Sequence, residues 1–317
     1  MNKHIAIYYS NIYGRNDGPP LYWFNAMQTM GLDVTHLLAE RSAEKAGPFD
    51  LHVWVDWGED GLPWEEWYPP KDGGKTVYVA SDTHLGKEYR FEKAKKFEYV
   101  FFNQERARDE YLDGEHDQQF RTPGGLMQVV DWLPHAAEPQ AYPHTVQAQK
   151  FDVCFIGHLS DEPNVHGMSR VETLDRVFRA FSNFYFGTRS PQKPGANMFE
   201  DAARRFNQSR IVLNHAVRDD LNMRFFEVLC SGAFLLTTRL PDAESLGLRE
   251  GEHYAAYASY DEAIEKINHY LNHPEERERI ARAGHEAVMA AHTYRHRVRT
   301  MLETVGLASL IKPEPGK

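Results

Sequence analysis

The sequence predicts an α/β protein made of two Rossmann-like domains in series. Three observations carry that prediction. Short apolar runs of strand length alternate with longer stretches of helical apolar spacing along the chain. The alternation is interrupted once, over residues 134–149, where Pro134, Pro139 and Pro143 cluster. The 317 residues, at roughly 150 per domain, allow two cores.

In the first half the apolar runs His4–Tyr9, Val34–Leu38, Leu51–Val55, Thr76–Ala80, Tyr99–Phe102 and Val129–Leu133 read as strands. Between them, Leu21–Met30 has helical spacing and stops at Gly31, and Gln104–Leu112 reads as a charged helix. In the second half Phe151–Ile156, Phe184–Phe186, Arg210–Asn214, Ala233–Thr238 and Tyr254–Tyr257 read as strands. Helices are expected at Arg170–Phe181, Ala202–Asn207, Met223–Ser231, Asp261–Asn272, Pro274–Ala291 and Tyr294–Val305, with Pro274 suited to a first helical turn. The domains are therefore read as 1–140 and 150–293, followed by a closing helix and tail over 294–317.

Composition narrows the function classes. With 42% hydrophobic and 26% charged residues the chain can build packed cores. A net charge of −10 argues against extended nucleic-acid contact, because a phosphate backbone repels a net anion. Two cysteines, Cys154 and Cys230, sit in apolar runs and support neither a disulfide framework nor a zinc site. No apolar run approaches the roughly 18 residues of a membrane span, and the start is too polar for a signal peptide, so a cytoplasmic location is expected. The five cations of segment 87–96, interleaved with acidic residues, read as a solvated helix face. The pairs His269/His273 and His292/His296 have zinc spacing, but no third ligand stands near either, and they read as surface residues.

The chemically richest segment is Ser209–Thr238. A strand leads into a polar loop, then a helix, then Gly232 and another strand. Asp219, Asp220, Asn222 and Arg224 gather at the helix start, where unsatisfied N–H groups favour an anion such as a diphosphate. Glu227, one turn on, could accept hydrogen bonds from ribose hydroxyls. The plainer reading is that the polar residues cap the helix and Glu227 lies on a solvated face. In the first half, Asp82 and His84 follow a strand end. His84 suits a base that takes a proton from an attacking hydroxyl, with Asp82 orienting it; the alternative is a helix cap and a surface histidine. The loop after the first strand holds Tyr13, Gly14 and Arg15, and His135 stands at the linker mouth; these four are candidates for an acceptor side. The aromatic run Trp54, Trp57, Trp64, Trp67 and Tyr68 reads as loop packing, with a stacking platform for a sugar or base as the alternative.

The run Asn222-Met-Arg-Phe-Phe-Glu227, then Cys-Ser-Gly232-Ala and Leu-Leu-Thr-Thr, resembles the donor core of GT-B glycosyltransferases. More closely it resembles the CgeB-like, spore-maturation branch of the group 1 glycosyltransferases. Gly251-Glu-His, Asp261-Glu-Ala and Ala291-His-Thr-Tyr294 continue the likeness downstream. Upstream, Asp82-Thr-His84, Trp132-Leu-Pro-His135 and Phe151 to Gly157 do the same. The resemblance implies a GT-B fold, with an interdomain cleft and a C-terminal crossover helix. It implies sugar transfer, of a hexose type, from a nucleoside-diphosphate sugar such as a UDP-sugar to an acceptor the sequence does not name.

The resemblance also implies roles. Glu227 matches the ribose-binding acid. Asn222, Met223 and Arg224 match the helix start beside the diphosphate. Gly157 and His158 match the turn that approaches the phosphates, and Arg170 matches a second phosphate contact. Retaining members carry a second acid eight positions before the first, and Asp219 stands there in place of Glu; a retaining transfer is expected. No cofactor and no metal are expected. Two other readings fit the same scaffold: a sugar-nucleotide epimerase and a non-catalytic nucleotide-sugar-binding protein.

Overall fold

The computed structural model describes residues 3–9, 18–38, 48–56, 73–83, 86–114, 127–187, 198–218 and 221–311. The chain forms two compact units. The first combines residues 1–134 with 294–317, and the second comprises 135–293.

The first unit is a six-stranded parallel sheet. Its strands are β1 (His4–Tyr9), β2 (Asp33–Leu38), β3 (Leu51–Val55), β4 (Lys75–Ala80), β5 (Tyr99–Phe102) and β6 (Val129–Trp132), in the order β2-β1-β3-β4-β5-β6. All five residues of β3 are buried, as expected for a parallel strand covered on both faces. Helices α1 (Pro19–Thr29), α2 (Lys87–Ala94) and α3 (Glu105–Gly114) connect the strands. Pro19 and Pro20 open α1, where a missing N–H costs nothing.

The second unit is a five-stranded parallel sheet. Its strands are β7 (Phe151–Ile156), β8 (Phe184–Gly187), β9 (Ser209–Asn214), β10 (Leu235–Thr238) and β11 (Ala255–Tyr257), in the order β11-β10-β9-β7-β8. Helices α4 (Arg170–Ala180), α5 (Met198–Asn207), α6 (Met223–Cys230), α7 (Asp242–Ser245), α8 (Tyr260–Asn272) and α9 (Pro274–Ala291) accompany them. Ser169 caps α4 and Ser259 caps α8, each accepting from the N–H of a glutamate three residues on. The closing helix α10 (Tyr294–Thr304) belongs to the first unit, where it packs on α1.

Three expectations change. His292, read as a surface residue, is buried. Residues 135–142, part of the proline-rich interruption over 134–149 and read up to residue 140 as first domain, are packed into the second unit. Ala136, Ala137 and Tyr142 are buried, Ala137 N–H donates to the His292 carbonyl at 2.8 Å, and Tyr142 stacks on Phe206. Segment 87–96 is only half a solvated face. Lys87 and Lys95 pair with Glu110 and Glu92 at the surface, but Arg90 and Lys93 are buried. Arg90 Nε lies 3.1 Å from Asp56, which also accepts the Tyr78 hydroxyl at 2.6 Å. Lys93 Nζ sits 4.1 Å from the centre of the Trp54 ring, within cation–π range.

In both sheets the strand order reverses once. The chain leaves β1 for β2 on one side and returns to β3 on the other; in the second unit the reversal lies between β7 and β9. Ligands of open α/β sheets bind outside the carboxyl ends of the strands at such a reversal.

Candidate functional site

In the second unit the reversal brings together the turn after β7, the polar residues after β9, and the starts of α4 and α6. A Cβ placed on Gly157 would meet the Phe155 ring at 2.9 Å and lie 3.8 Å from Arg224 Nη1, so this turn tolerates little beyond hydrogen. Arg224 and Glu227 form an ion pair one turn apart on α6, Nε to Oε2, at 2.9 Å. Arg224 also lies over the Phe206 ring. Glu227 is 2% exposed and Arg224 9%, so the alternative of a solvated Glu227 does not hold.

Asn222 caps α6 by accepting the Phe225 N–H at 3.2 Å. Its amide also pairs with that of Asn214 at 3.2 and 3.3 Å, and Asn214 donates to Thr237 at 3.0 Å. The capping reading of Asn222 is therefore correct, and the cap is tied to the end of β9. Met223, the first residue of the helix, is buried. Gly232, with φ +73, ends the helix and turns the chain into β10.

Arg170, the first residue of α4, ties the strand ends together. Its Nε and Nη2 donate to the His215 carbonyl at 3.1 and 2.6 Å, and Nη1 donates to the His158 carbonyl at 2.6 Å. The residues after β7 and β9 thus share one guanidinium. The His158 side chain is exposed beside it.

Sequence reasoning missed three groups here. Asn214, the last residue of β9, and His215 form a polar pair where an apolar strand ends, and that abrupt change was the available signal. Glu138 is the third. It is buried, it accepts the Gln140 N–H at 3.3 Å, and burial pushes its carboxyl up to about 7. Burial also pushes the Cys230 thiol up to about 12, and the charges of Glu138 and Glu227 add to that shift.

In the first unit Asp82 follows β4 and is the one non-glycine with positive φ (+48) among the described residues. Its neighbours hold it there. Ser81 Oγ donates to Asn103 at 2.5 Å, Asn103 Nδ2 donates to the Leu133 carbonyl at 2.6 Å, and Thr83 donates through N–H and hydroxyl to Gln104. Backbone strain of this kind persists where the surroundings over-determine it, and it concentrates at functional positions. The cap of α2 is Gly86, not Asp82. His135 is buried in the second unit. His84, Asp219, Tyr13, Gly14 and Arg15 lie outside the described residues, as do Trp57, Trp64, Trp67 and Tyr68.

Among the described residues no helix is long and apolar enough to cross a membrane, and no three His, Cys, Asp or Glu side chains are placed to hold a metal ion.

Residues 170–303 match the family model described as Glycosyl transferase-like. The match starts at the arginine that ties the strand ends and includes all of α6. Solved structures add the fold. Sucrose-phosphate synthase from Thermosynechococcus elongatus is similar with a TM-score of 0.59 at 11% identity, over 96% of this chain and 98% of that one. Anabaena Alr3699/HepE, solved with UDP and glucose, gives 0.59 at 9% identity, over 96% and 99%. The UDP-forming trehalose-phosphate synthase of Burkholderia vietnamiensis gives 0.54 at 12%, over 93% and 78%. No curated protein shows detectable sequence similarity. The fold is that of the GT-B structures. Fold and family match together support a glycosyltransferase; the CgeB-like branch is not distinguished by them.

Proposed function

We propose that the protein transfers a sugar from a nucleoside diphosphate to an acceptor nucleophile, and that the donor binds at the strand reversal of the second unit. The observation that carries this reading is the buried Arg224–Glu227 pair on the first turns of α6, with Arg224 Nη1 3.8 Å from where a Cβ on Gly157 would stand. A buried carboxylate at a helix start can accept two ribose hydroxyls. The adjoining helix N-terminus and close-approach glycine suit the diphosphate. UDP is the first nucleotide to try, because the HepE structure holds UDP and glucose.

In this reading the leaving diphosphate gathers negative charge as the glycosidic bond breaks. The α6 N-terminus and Arg224 offset it, so the reaction needs no divalent ion. Such electrostatic stabilisation is worth about 2.7–4 kcal/mol per well-placed donor. His84 is the proposed base for the acceptor hydroxyl, with Asp82 orienting it, and Asp219 stands where retaining enzymes hold their second acid. A hexose is the expected sugar, a CgeB-like enzyme the expected relative, and the cytoplasm the expected location.

The test begins with UDP. Nucleotide at 100 times its dissociation constant should add about 2.7 kcal/mol and raise the melting temperature. Glu227→Gln keeps the volume and removes the ribose-accepting charge; it should weaken UDP by about ten-fold or more. Unchanged affinity removes Glu227 from the site. Turnover of UDP-sugars with a panel of hydroxyl acceptors, with and without chelator, then separates transfer from binding alone and tests the metal.

A further inference from the structure

We propose that His215 is a positioning residue of the donor site, held as the neutral imidazole with its proton on Nδ1, and that this tautomer sets the carbonyl to which Arg170 is anchored. The inference rests on the donor-site reading above.

The hydrogen-bond pattern decides the tautomer. His215 Nδ1 lies 3.1 Å from Thr173 Oγ1 and 3.4 Å from the Tyr257 hydroxyl. Both hydroxyls have spent their single hydrogen: Thr173 donates to the Ser169 carbonyl at 2.9 Å, and Tyr257 to the Asn214 carbonyl at 3.1 Å. Towards His215 they can only accept, so Nδ1 must carry the proton. The other nitrogen, Nε2, lies 3.3 Å from Asn164 Nδ2. That amide is oriented by its oxygen, which accepts the N–H groups of His166 and Met168 at 3.0 and 3.1 Å. Its NH2 therefore faces Nε2, which must be the acceptor. A proton on Nε2 would set N–H against N–H in a residue with no solvent exposure.

The groups facing the ring agree. Burial holds its pKa down to about 4; the Arg170 charge adds to this, with a smaller contribution from His166, and a main-chain contact at Met168 offsets part. Arg170 on α4, Tyr257 on β11 and His166 in the preceding loop are the titratable groups around it. The ring thus ties α4, β11 and the 163–169 loop to the end of β9. Its own carbonyl takes two of the Arg170 N–H groups whose third partner is the His158 carbonyl. Through these bonds, the proton on Nδ1 sets the spacing between the residues that follow β7 and β9, where the diphosphate would lie.

The experiment has two arms. In histidine-15N-labelled protein, long-range proton–nitrogen correlation should show His215 as the neutral Nδ1–H form from pH 5 to 8, assigned by the signal lost in His215→Asn. An Nε2–H form, or titration near the ordinary 6.5, overturns the proposal. In the second arm UDP affinity is measured for the wild type, Thr173→Val, Thr173→Ser and Asn164→Asp. Thr173→Val removes the acceptor and should weaken UDP by about ten-fold, while Thr173→Ser keeps the hydroxyl and the wild-type affinity. Asn164→Asp keeps the loop-holding oxygen but offers Nε2 a carboxylate. It should draw a proton onto the ring and make affinity, relative to wild type, vary with pH between 5 and 8. Wild-type binding with Thr173→Val unchanged, or loss shared by Val and Ser alike, overturns the positioning role alone. A wild type that binds no nucleoside diphosphate overturns the donor reading and this inference with it.

Discussion

Glu138 and His215 are buried titratable groups with opposite consequences for stability. Burial raises the Glu138 carboxyl from 4.5 to about 7, so the folded state holds a proton that the unfolded state releases. Its contribution is fully present below pH 4.5 and is lost as pH rises through 7, by about 1.36 kcal/mol per unit, or roughly 3 kcal/mol in all. His215 is lowered from 6.5 to about 4, so its neutral form is favoured by folding. That contribution is complete above 6.5 and is lost as pH falls. Between 4.5 and 6.5 the two slopes cancel. Glu138→Gln retains the oxygen that accepts the Gln140 N–H and removes one slope. It should melt like the wild type near pH 4.5, stand about 3 kcal/mol above it at pH 8, and expose the rise with pH that His215 imposes. Equal melting temperatures at pH 8 would mean that Glu138 is not a destabilising charge. The burial of Glu227 is instructive in the same way. Truncation to Ala would strand Arg224 without its partner, at about 3–5 kcal/mol, so a binding test by Glu227→Ala would confuse affinity with folding.

At the scale of elements, α2 shows what apolar periodicity could not reveal. Its inward positions Arg90, Lys93 and Ala94, with Phe97 just beyond, have the three- and four-residue spacing of a core-facing helix, but two of them are cations. The strand partners Asp56, Trp54 and Tyr78 make that burial tolerable. Arg90→Leu should therefore cost about 3–5 kcal/mol by leaving Asp56 buried beside Tyr78 alone of these partners, whereas Arg90→Leu with Asp56→Leu should recover most of it. Hydrogen exchange of the β3 and β4 amides measures both; a single variant as protected as the wild type would show that the pair contributes nothing. The strands, by contrast, were legible almost residue by residue. Parallel strands covered on both faces are continuous apolar runs, and Leu51–Val55 and Phe151–Ile156 coincide with their reading. The donor helix was legible as an element and its cap as a cap. What the sequence could not show was which polar groups face each other. The Asn214–Asn222 amide pair and the Arg170 clasp join residues 8 and 45 positions apart, through strand order that local pattern does not encode.

At the scale of the molecule, the first unit is discontinuous: the chain leaves it at Pro134 and re-enters it at Tyr294. Tyr294, Val298, Met301, Leu302 and Val305 are all buried. Tyr294 packs against Tyr22 and Trp23 of α1, with ring centres 5.4 and 6.2 Å apart. Arg297 Nε donates to the Pro134 carbonyl at 2.9 Å from a site so buried that its pKa is pushed down to about 10. Lys75 closes the helix by donating to the Val305 carbonyl. At about 1.5–3 kcal/mol per buried side chain, α10 contributes on the order of 10 kcal/mol, as much as the whole stability of an ordinary domain. A chain ending at Thr293 should therefore lose its first unit and keep its second. Exchange protection should vanish from β1 to β5 and persist in β7, β9 and β10, and UDP should still bind, because every residue assigned to the donor lies between Gly157 and Glu227. Full protection of β1 to β5 in the shortened chain would reduce α10 to an accessory. Loss of both sheets together would mean that the second unit does not fold on its own.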